Sequence, residues 1–387
     1  MQNAAGHIIK FENVKDFDIV HTFECGQCFR WNREEDGSYT GIAGGRVANV
    51  RYDDEILIIE YPDEYPADSA KCDSRSDDVP KECISGESSA DECPDGESSS
   101  DKSPDTECLS DRCSPDGCLP DEFLPDECPD RNDSEKHALR HSREKDFWHE
   151  YFDLGRDYGK IKDELSKDDE IMKAATAYGS GIRLLRQDPW ETVISFIISQ
   201  NSNIPRIKSC IEKLCSLYGD FVCEWRGKRW YDFPKASTLA ALTPEDLAAC
   251  KLGYRDKYVA AAAQKIMKDG VQVLAAAEEK SRSDGRVLAA EGKSKSDEAL
   301  KYLRGFLGVG PKVAECINLF GLKHYDSFPL DVWMKRIMSR LYGFDENDVR
   351  SMKNYARKHF GKYSGFAQQY LFYYARENLQ ETIDIGR

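Results

Sequence analysis

Residues Gly305 to Asp331 read GFLGVGPKVAECINLFGLKHYDSFPLD, and this stretch decides the fold. Leu307-Gly308-Val309-Gly310 is a glycine-punctuated hairpin, and the spacing beyond it predicts a helix beginning near Pro311. Glycines take positive φ and let backbone N–H groups come close to a ligand. Proline suits the first helical position, where its missing N–H costs nothing. Together they set a ring of backbone donors at the positive end of a helix, a natural seat for a phosphate. Lys312 stands at that mouth, and nineteen residues later Asp331 opens another apolar run. A phosphate seat, an amine and a carboxylate point to chemistry on nucleic acid.

The chain has 387 residues, enough for two or more domains with ample core. The leading MQNAAGHIIKF lacks the apolar centre of a signal peptide, and no run approaches a membrane span. A soluble, intracellular protein is expected. Seven of the 14 cysteines fall in one unusual segment. The other seven lie mostly inside apolar patterns, which suits reduced, buried thiols. The net charge of −16 is also local: residues 67–136 hold 22 Asp and Glu against 7 Lys and Arg, a net of −15. The remainder, 48 acids against 47 bases, is close to neutral. The acidity therefore does not argue against DNA binding elsewhere.

Residues 1–66 read as antiparallel sheet. HIIKFENV, YTGIAG, RVANVRY and EILIIEY are short, β-rich runs divided by turn signals such as EEDGS and YDDE. Between the first two lies Phe23-Glu24-Cys25-Gly26-Gln27-Cys28-Phe29-Arg30-Trp31, which on local pattern alone is a strand bend with a packed Trp. Residues 67–136 are rich in Ser, Asp, Glu, Pro and Cys, with loose repeats such as SPDTEC, SPDGC and LPDEC. Few aliphatic residues are available to offset ordering entropy, so disorder is expected. Cys108, Cys113 and Cys118 are evenly spaced, but with no CxxC pair and no histidine the segment reads as a solvated spacer rather than a zinc site.

From His137 the pattern becomes helical. Asp188-Pro189-Trp190-Glu191 is a helix start with an acceptor at the N-cap, proline at N1 and glutamate at N3. Trp190, Val193, Ile194, Ile197 and Ile198 follow with helical spacing, and Ile207, Cys210, Ile211, Leu214, Cys215 and Tyr218 repeat the signal. Gln200-Asn201-Ser202-Asn203 links the two. Pro244-Glu245-Asp246-Leu247 reads as a further helix start, followed by Leu252-Gly253-Tyr254-Arg255 and an Ala-rich helix. Residues 278–298 look like a loose charged connector, and a last strong helix covers Ser364 to Glu377. There Gln368 and Phe372 are four apart and share a face.

An amine at a helix start has two readings. It pairs with DNA phosphate as a surface lysine, or it attacks a sugar C1′ and forms a Schiff base. Burial and the positive helix end are expected to lower the pKa of Lys312 and expose a neutral amine. Cys316, one turn on, falls on the same face. Asp331 precedes Met334, Ile337, Met338 and Leu341 and reads as an N-cap, as a carboxylate stabilising positive charge on a sugar losing its base, or as both.

Taken together, GQCFRW, LLRQDPWETVISFIISQNSNIPRI, LGYRDKYV, GVGPKVAECI, FPLDVW and GFAQQYLF, in that order, resemble the 8-oxoguanine DNA glycosylase/lyase family. The resemblance covers most of residues 8–66 and 146–377. It places the chain in the superfamily defined by a helix-hairpin-helix, a Gly/Pro-rich loop and a catalytic Asp. It implies an α+β chain: an N-terminal antiparallel sheet domain, TATA-binding-protein-like, then an all-α helix-hairpin-helix glycosylase domain. The expected divisions are 1–66 for the sheet, 67–136 for the acidic insert, 137–186 for the helical completion of the first domain, and 187–387 for the glycosylase domain.

The resemblance implies the activity of a DNA repair glycosylase with lyase activity, acting on 8-oxoguanine opposite cytosine. Lys312 matches the family nucleophile and Asp331 the catalytic aspartate. Gly26 matches the glycine whose carbonyl accepts from N7–H of 8-oxoguanine, and Gln368 the reader of the Watson–Crick edge. Phe372 and Cys316 match the two faces that sandwich the flipped base. Asn201 resembles the residue filling the vacated stack, Arg206 and Arg255 those reading the estranged cytosine, and Tyr254 the wedge beside it. Gly308 and Gly310 match the hairpin glycines that grip the DNA backbone. No metal or cofactor is implied beyond a monovalent cation at the hairpin. The expected partner is double-stranded DNA containing 8-oxoguanine, bound by a monomer.

Some positions depart from the family pattern. Pro311 replaces a residue with an N–H, Leu307 a proline, and Trp333 a phosphate-contacting histidine of the animal members; Ser202 interrupts a run of asparagines. Relatives acting on oxidised pyrimidines or mispaired adenine carry a four-cysteine iron–sulfur loop, yet no cysteine follows Cys316 here. Relatives acting on alkylated bases generally lack the lysine. A noncatalytic DNA-gripping module would account for Gly308 and Gly310 but not for Lys312, Asp331, Gln368 and Phe372 together. The composition of the insert makes one prediction: deleting residues 67–136 should leave the melting midpoint and the activity largely intact. A collapse of thermal stability in the deleted chain would show that the segment packs.

Overall fold

The structure is a computed structural model that describes residues 6–63, 133–282 and 295–378. The chain divides into two compact units, one of Met1–Arg75 with Arg140–Arg387 and one of Ser76–Leu139. The expected acidic insert lies outside the described residues from 67 to 132. Of the smaller unit the structure describes only residues 133–139, the opening turns of a helix.

The sheet expectation holds. Strands β1 (Gly6–Phe11), β2 (Trp31–Arg33), β3 (Tyr39–Ala43), β4 (Arg46–Asp53) and β5 (Ile56–Pro62) form one antiparallel sheet in the order β1-β5-β4-β3-β2. Ile9 and Val50 both pair with Ile59, one from each side, so the apolar alternation of three strands falls on one face. That face is covered by the end of α2 (Asp133–Tyr151), whose Trp148 and Tyr151, with Phe152 just beyond it, join Ile9, Trp31, Leu57 and Ile59 in one core. The Trp31 indole N–H donates to the Tyr151 hydroxyl at 2.8 Å, which pairs the one polar atom that burying this ring would otherwise orphan.

The Phe23–Trp31 stretch is not a simple strand bend, because its first two residues end a helix. Asp18 caps a short helix, α1 (Ile19–Glu24), by accepting from the His21 N–H at 2.8 Å, and the loop that follows carries Gly26. The Ile19-Val20-His21-Thr22 run is too short to show helical periodicity, so the sequence alone gives no sign of it.

The helical part reads as expected through α3 (Tyr158–Ser166), α4 (Glu170–Tyr178), α5 (Pro189–Ser199) and α6 (Ile204–Tyr218). The Asp188 carboxylate accepts from the Glu191 N–H at 2.8 Å, as the helix-start pattern requires. Helix α5 is buried on every side from Thr192 to Ile198 and forms the centre of the helical core. One element breaks the all-α expectation: β6 (Phe221–Trp225) and β7 (Lys228–Tyr231) form a hairpin. Arg226 and Gly227, both at positive φ, turn it. Its Val222, Trp225 and Trp230 cover Ile42 and Val47 of the sheet, so the hairpin is stabilised by tertiary burial that local pattern does not reveal.

After α7 (Ala236–Ala240), the helix expected from Pro244 is instead a single 3-10 turn, Asp246–Cys250, ended by Lys251 in the left-handed region. A second 3-10 turn, Gly253–Arg255, leads into α8 (Asp256–Asp269). The charged connector is shorter than expected, because α9 (Gln272–Arg282) and α10 (Lys295–Leu303) enter it from both ends. Then come α11 (Pro311–Phe320), α12 (Val332–Tyr342), α13 (Val349–His359) and α14 (Ser364–Asn378). No described helix is long and apolar enough to cross a membrane.

Two buried side chains from the sheet part fasten these layers. Arg30 faces Glu191 of α5 at 3.7 Å and also donates to the Tyr231 carbonyl of β7. Burial pushes Glu191 up to about 7 despite the guanidinium beside it. The second fastening is Gln27, beside the site itself.

Candidate active site

The hairpin between α10 and α11 is built by short backbone bonds, Phe306 N–H to the Leu303 carbonyl and Val309 N–H to the Phe306 carbonyl. Gly308 has φ +79, and a Cβ there would lie 2.7 Å from the Tyr258 ring, so only glycine fits. Gly310 caps α11 from an extended conformation, and no side chain bonds the helix start. A Cβ on Gly310 would meet nothing within 4 Å. The start of α11 therefore has no side-chain cap of its own, the arrangement a phosphate needs.

Lys312 occupies the second position of α11 and is half-buried. Its amine is held above the ordinary lysine value by Cys316 first and by Asp331 second. This reverses the expected lowering. Burial does act downward, but the two acidic neighbours outweigh it. Cys316 is itself pushed up to about 11 by burial, with Lys312 opposing. In the free protein at neutral pH the pair is therefore an ammonium facing a protonated thiol. Asp331 is the N-cap of α12, its Oδ1 accepting from the Met334 N–H at 2.8 Å. The cap and the charge facing Lys312 belong to the same carboxylate, so the two readings of Asp331 are compatible.

The Gly26 loop belongs to the sheet part and follows α1. Gly26 has φ +84, and a Cβ there would meet nothing within 4 Å. The next residue fixes the peptide that carries the Gly26 carbonyl. The Gln27 amide donates to the Thr22 and Arg183 carbonyls, both at 2.8 Å, and accepts from the Leu185 N–H at 2.9 Å. Its backbone carbonyl accepts from the Gln187 amide at 2.8 Å. Gln27 has no exposed surface. From the other side, Arg376 of α14 donates to the Glu24 carbonyl at 2.8 Å. Gln27, Gln187 and Arg376 were not singled out in the sequence. The one available signal was a glutamine standing between two buried cysteines.

Helix α14 carries the remaining residues expected at the base. Gln368 is 5% exposed, and half-buried Phe372, one turn on, packs against the core that contains Cys316 and Cys25. Gly365, at the start of α14, touches Leu319 of α11 so closely that an added Cβ would overlap it. Lys312, Cys316 and Asp331 thus act on one another by charge, while Gly365 sets α14 against α11 and Arg376 ties α14 to the residues just before the Gly26 loop.

The residues expected at the DNA duplex form a second group. Asn201 is exposed at φ +45, a conformation asparagine tolerates. Arg206 is exposed on α6, its N–H capped by Asn203 at 3.0 Å. Tyr254 is 48% exposed, with the Arg255 guanidinium 4.4 Å above its ring. Tyr254 meets Tyr258 edge-on at 5.9 Å, and Tyr258 abuts Gly308. Tyr254 is therefore coupled to the hairpin. Arg255 is buried and donates to the Gln200, Asn201 and Leu252 carbonyls. In the free protein it supports the loop that carries Asn201. Trp333 is half-buried beside Arg336, 5.9 Å from ring centre to guanidinium. Among the described residues no group of three His, Cys, Asp or Glu side chains is placed to hold a metal.

Comparison with known proteins agrees with this geometry. Residues 9–193 match the family model described as 8-oxoguanine DNA glycosylase, N-terminal domain, and residues 194–362 that of the HhH-GPD superfamily of base excision DNA repair proteins. A solved structure of MBOgg1 in complex with a low-affinity DNA ligand is 35% identical. The match covers 97% of this chain and 99% of that one, with a TM-score of 0.67. The Clostridium acetobutylicum 8-oxoguanine glycosylase/lyase, solved with double-stranded DNA containing cytosine opposite 8-oxoguanine, is 32% identical over 97% of this chain and 99% of its own, with a TM-score of 0.65. A Saccharomyces cerevisiae N-glycosylase/DNA lyase is 36% identical over 186 residues, 48% of this chain and 46% of the yeast protein. A probable N-glycosylase/DNA lyase of Methanothermobacter thermautotrophicus is 32% identical over 51% of this chain and 64% of its own. The chain thus spans about half to two thirds of the curated relatives it matches.

The Gln27 clamp has a measurable consequence. Gln27→Leu leaves the Arg183 carbonyl and the Leu185 N–H buried without the amide, each worth about 1–3 kcal/mol, and leaves the Thr22 carbonyl only the weak Cys25 thiol donor. Denaturant unfolding should show a loss of about 3 kcal/mol or more; a loss under about 0.5 kcal/mol would mean that the clamp does not hold the loop.

Proposed function

The chain belongs to the 8-oxoguanine DNA glycosylase/lyase family, and we propose that it excises 8-oxoguanine opposite cytosine and then nicks the strand. The observation that carries this reading is the grouping of Lys312, Cys316 and Asp331 at a helix start without a side-chain cap. A module that only gripped DNA would need the hairpin but not the carboxylate facing the amine.

The chain's geometry suits each step. The hairpin N–H groups hold a backbone phosphate while the lesion turns out of the stack, a cost of a few kcal/mol offset by contacts in the pocket. The base enters between Cys316 and Phe372. The Gly26 carbonyl accepts from N7–H, a proton normal guanine lacks, so guanine would leave a buried acceptor unpaired. Gln368 meets the Watson–Crick edge. The neutral Lys312 amine then forms a bond to C1′ as the N-glycosidic bond breaks and its electron pair leaves with the base, which takes up a proton. Asp331 stabilises the positive charge developing on the sugar. Opening of the sugar ring gives a Schiff base on Lys312, and loss of a C2′ proton expels the 3′ phosphate. Double-stranded DNA is the partner and the protein acts as a monomer. No cofactor enters this scheme.

The raised pKa of Lys312 gives the reaction a pH dependence. Attack needs the neutral amine, whose fraction rises tenfold per pH unit below the pKa. On DNA carrying an abasic site, which removes base recognition from the readout, borohydride trapping should quicken as pH rises. Lys312→Gln should trap nothing. Trapping by Lys312→Gln equal to wild type would end the assignment of the nucleophile.

A further inference from the structure

On α14, Gln369 sits beside the proposed base reader and has no role in the scheme above. Its amide Nε2 donates to the Gln368 Oε1 at 2.8 Å. Both residues are nearly enclosed, 3% and 5% exposed. The Gln369 Oε1 has no hydrogen-bond partner.

A primary amide is nearly symmetric in shape but not in chemistry. Turning it over exchanges donor and acceptor with little change in volume, so close packing alone does not fix its sense. A hydrogen bond does. If Gln368 alone turned over, two N–H groups would face each other and the bond would be lost. If both amides turned over, the bond would re-form but two buried N–H groups of Gln369 would be left unpaired, which proteins avoid more strictly than an under-used oxygen.

Resting on the reading of Gln368 as the base reader, we infer that Gln369 is a positioning residue. It locks the sense of the Gln368 amide and thereby selects 6-oxopurines over 6-aminopurines. The locked amide offers its Nε2 donors beside the remaining lone pair of Oε1. A 6-oxopurine presents an O6 acceptor beside the N1–H donor, the complement of that order. A 6-aminopurine presents the reverse order, a donor at position 6 beside an acceptor at N1. An amide free to turn serves both edges, whereas a locked one serves the first.

The test compares 8-oxoguanine with 8-oxoadenine, each opposite cytosine, in single-turnover excision by the full chain. Both bases carry the 8-oxo group and N7–H, so contact with the Gly26 carbonyl is constant and only the Watson–Crick edge differs. Gln369→Met removes the donor at similar volume, and Gln369→Ala serves if the thioether overpacks; melting curves identify the folded variant. The folded variant should narrow the preference for 8-oxoguanine about tenfold, the scale of one hydrogen bond. Slower excision of both bases at an unchanged ratio would show a merely structural role and overturn the inference. So would an unchanged ratio in a chain where Gln368→Ala still slows 8-oxoguanine excision. If Gln368→Ala changes nothing, the base-pocket reading itself fails and this inference fails with it.

Discussion

The structure depends on a constraint set by one buried amide. Gln27 ties the Thr22 carbonyl of α1 to the Arg183 carbonyl and the Leu185 N–H of the segment that leads into α5. Leaving any of these groups buried and unpaired costs more than making the bond gains, so the loop has one place to sit. That place is beside α14, where Arg376 holds the Glu24 carbonyl. A glycine near the start of the chain is thereby carried to a helix near its end. The proposed pocket needs this, because its walls come from residues 26, 312–331 and 368–372. No local interaction can bring them together.

The electrostatics of the site follow from placing an amine between a thiol and a carboxylate. Asp331 is held by its own helix cap, so its charge does not wander. Lys312 is held protonated by its neighbours, which suits a resting state that attracts a phosphate-rich ligand. The same arrangement asks the amine to lose its proton before it can attack, and the departing base is a natural place for that proton to go. Buried charge recurs at the junction of sheet and helices, where Arg30 and Glu191 face each other. There it serves attachment, and burial keeps the carboxyl up at about 7.

Much of this was legible in the sequence where the signal was local. Helix starts at Asp188, Pro311 and Asp331 follow from short caps and prolines, and the structure has them. Four strands were visible from alternation and turn residues. What was missed depended on distant partners. The β6–β7 hairpin exists because Val222 and Trp225 cover Ile42 and Val47. The turn at Asp246 is one 3-10 turn rather than a helix, ended by Lys251 in the left-handed region. For Lys312 the sequence shows only burial and the helix end, which act downward, and not the Cys316 and Asp331 groups that the fold sets against the amine. The bonds of Gln27 and the pairing of Gln369 with Gln368 are likewise invisible until the fold exists. The base-contacting roles rested on resemblance, which assigns them residue by residue but supplies no geometry.

The most direct measurement is an excision assay on duplexes pairing 8-oxoguanine with each of the four bases, alongside an undamaged guanine in the same context. A pocket that senses N7–H through Gly26, beside exposed Arg206 and the loop that buried Arg255 supports, should excise 8-oxoguanine fastest opposite cytosine and leave guanine intact. Removal of guanine at a comparable rate, or no excision of 8-oxoguanine opposite any base, would contradict the account.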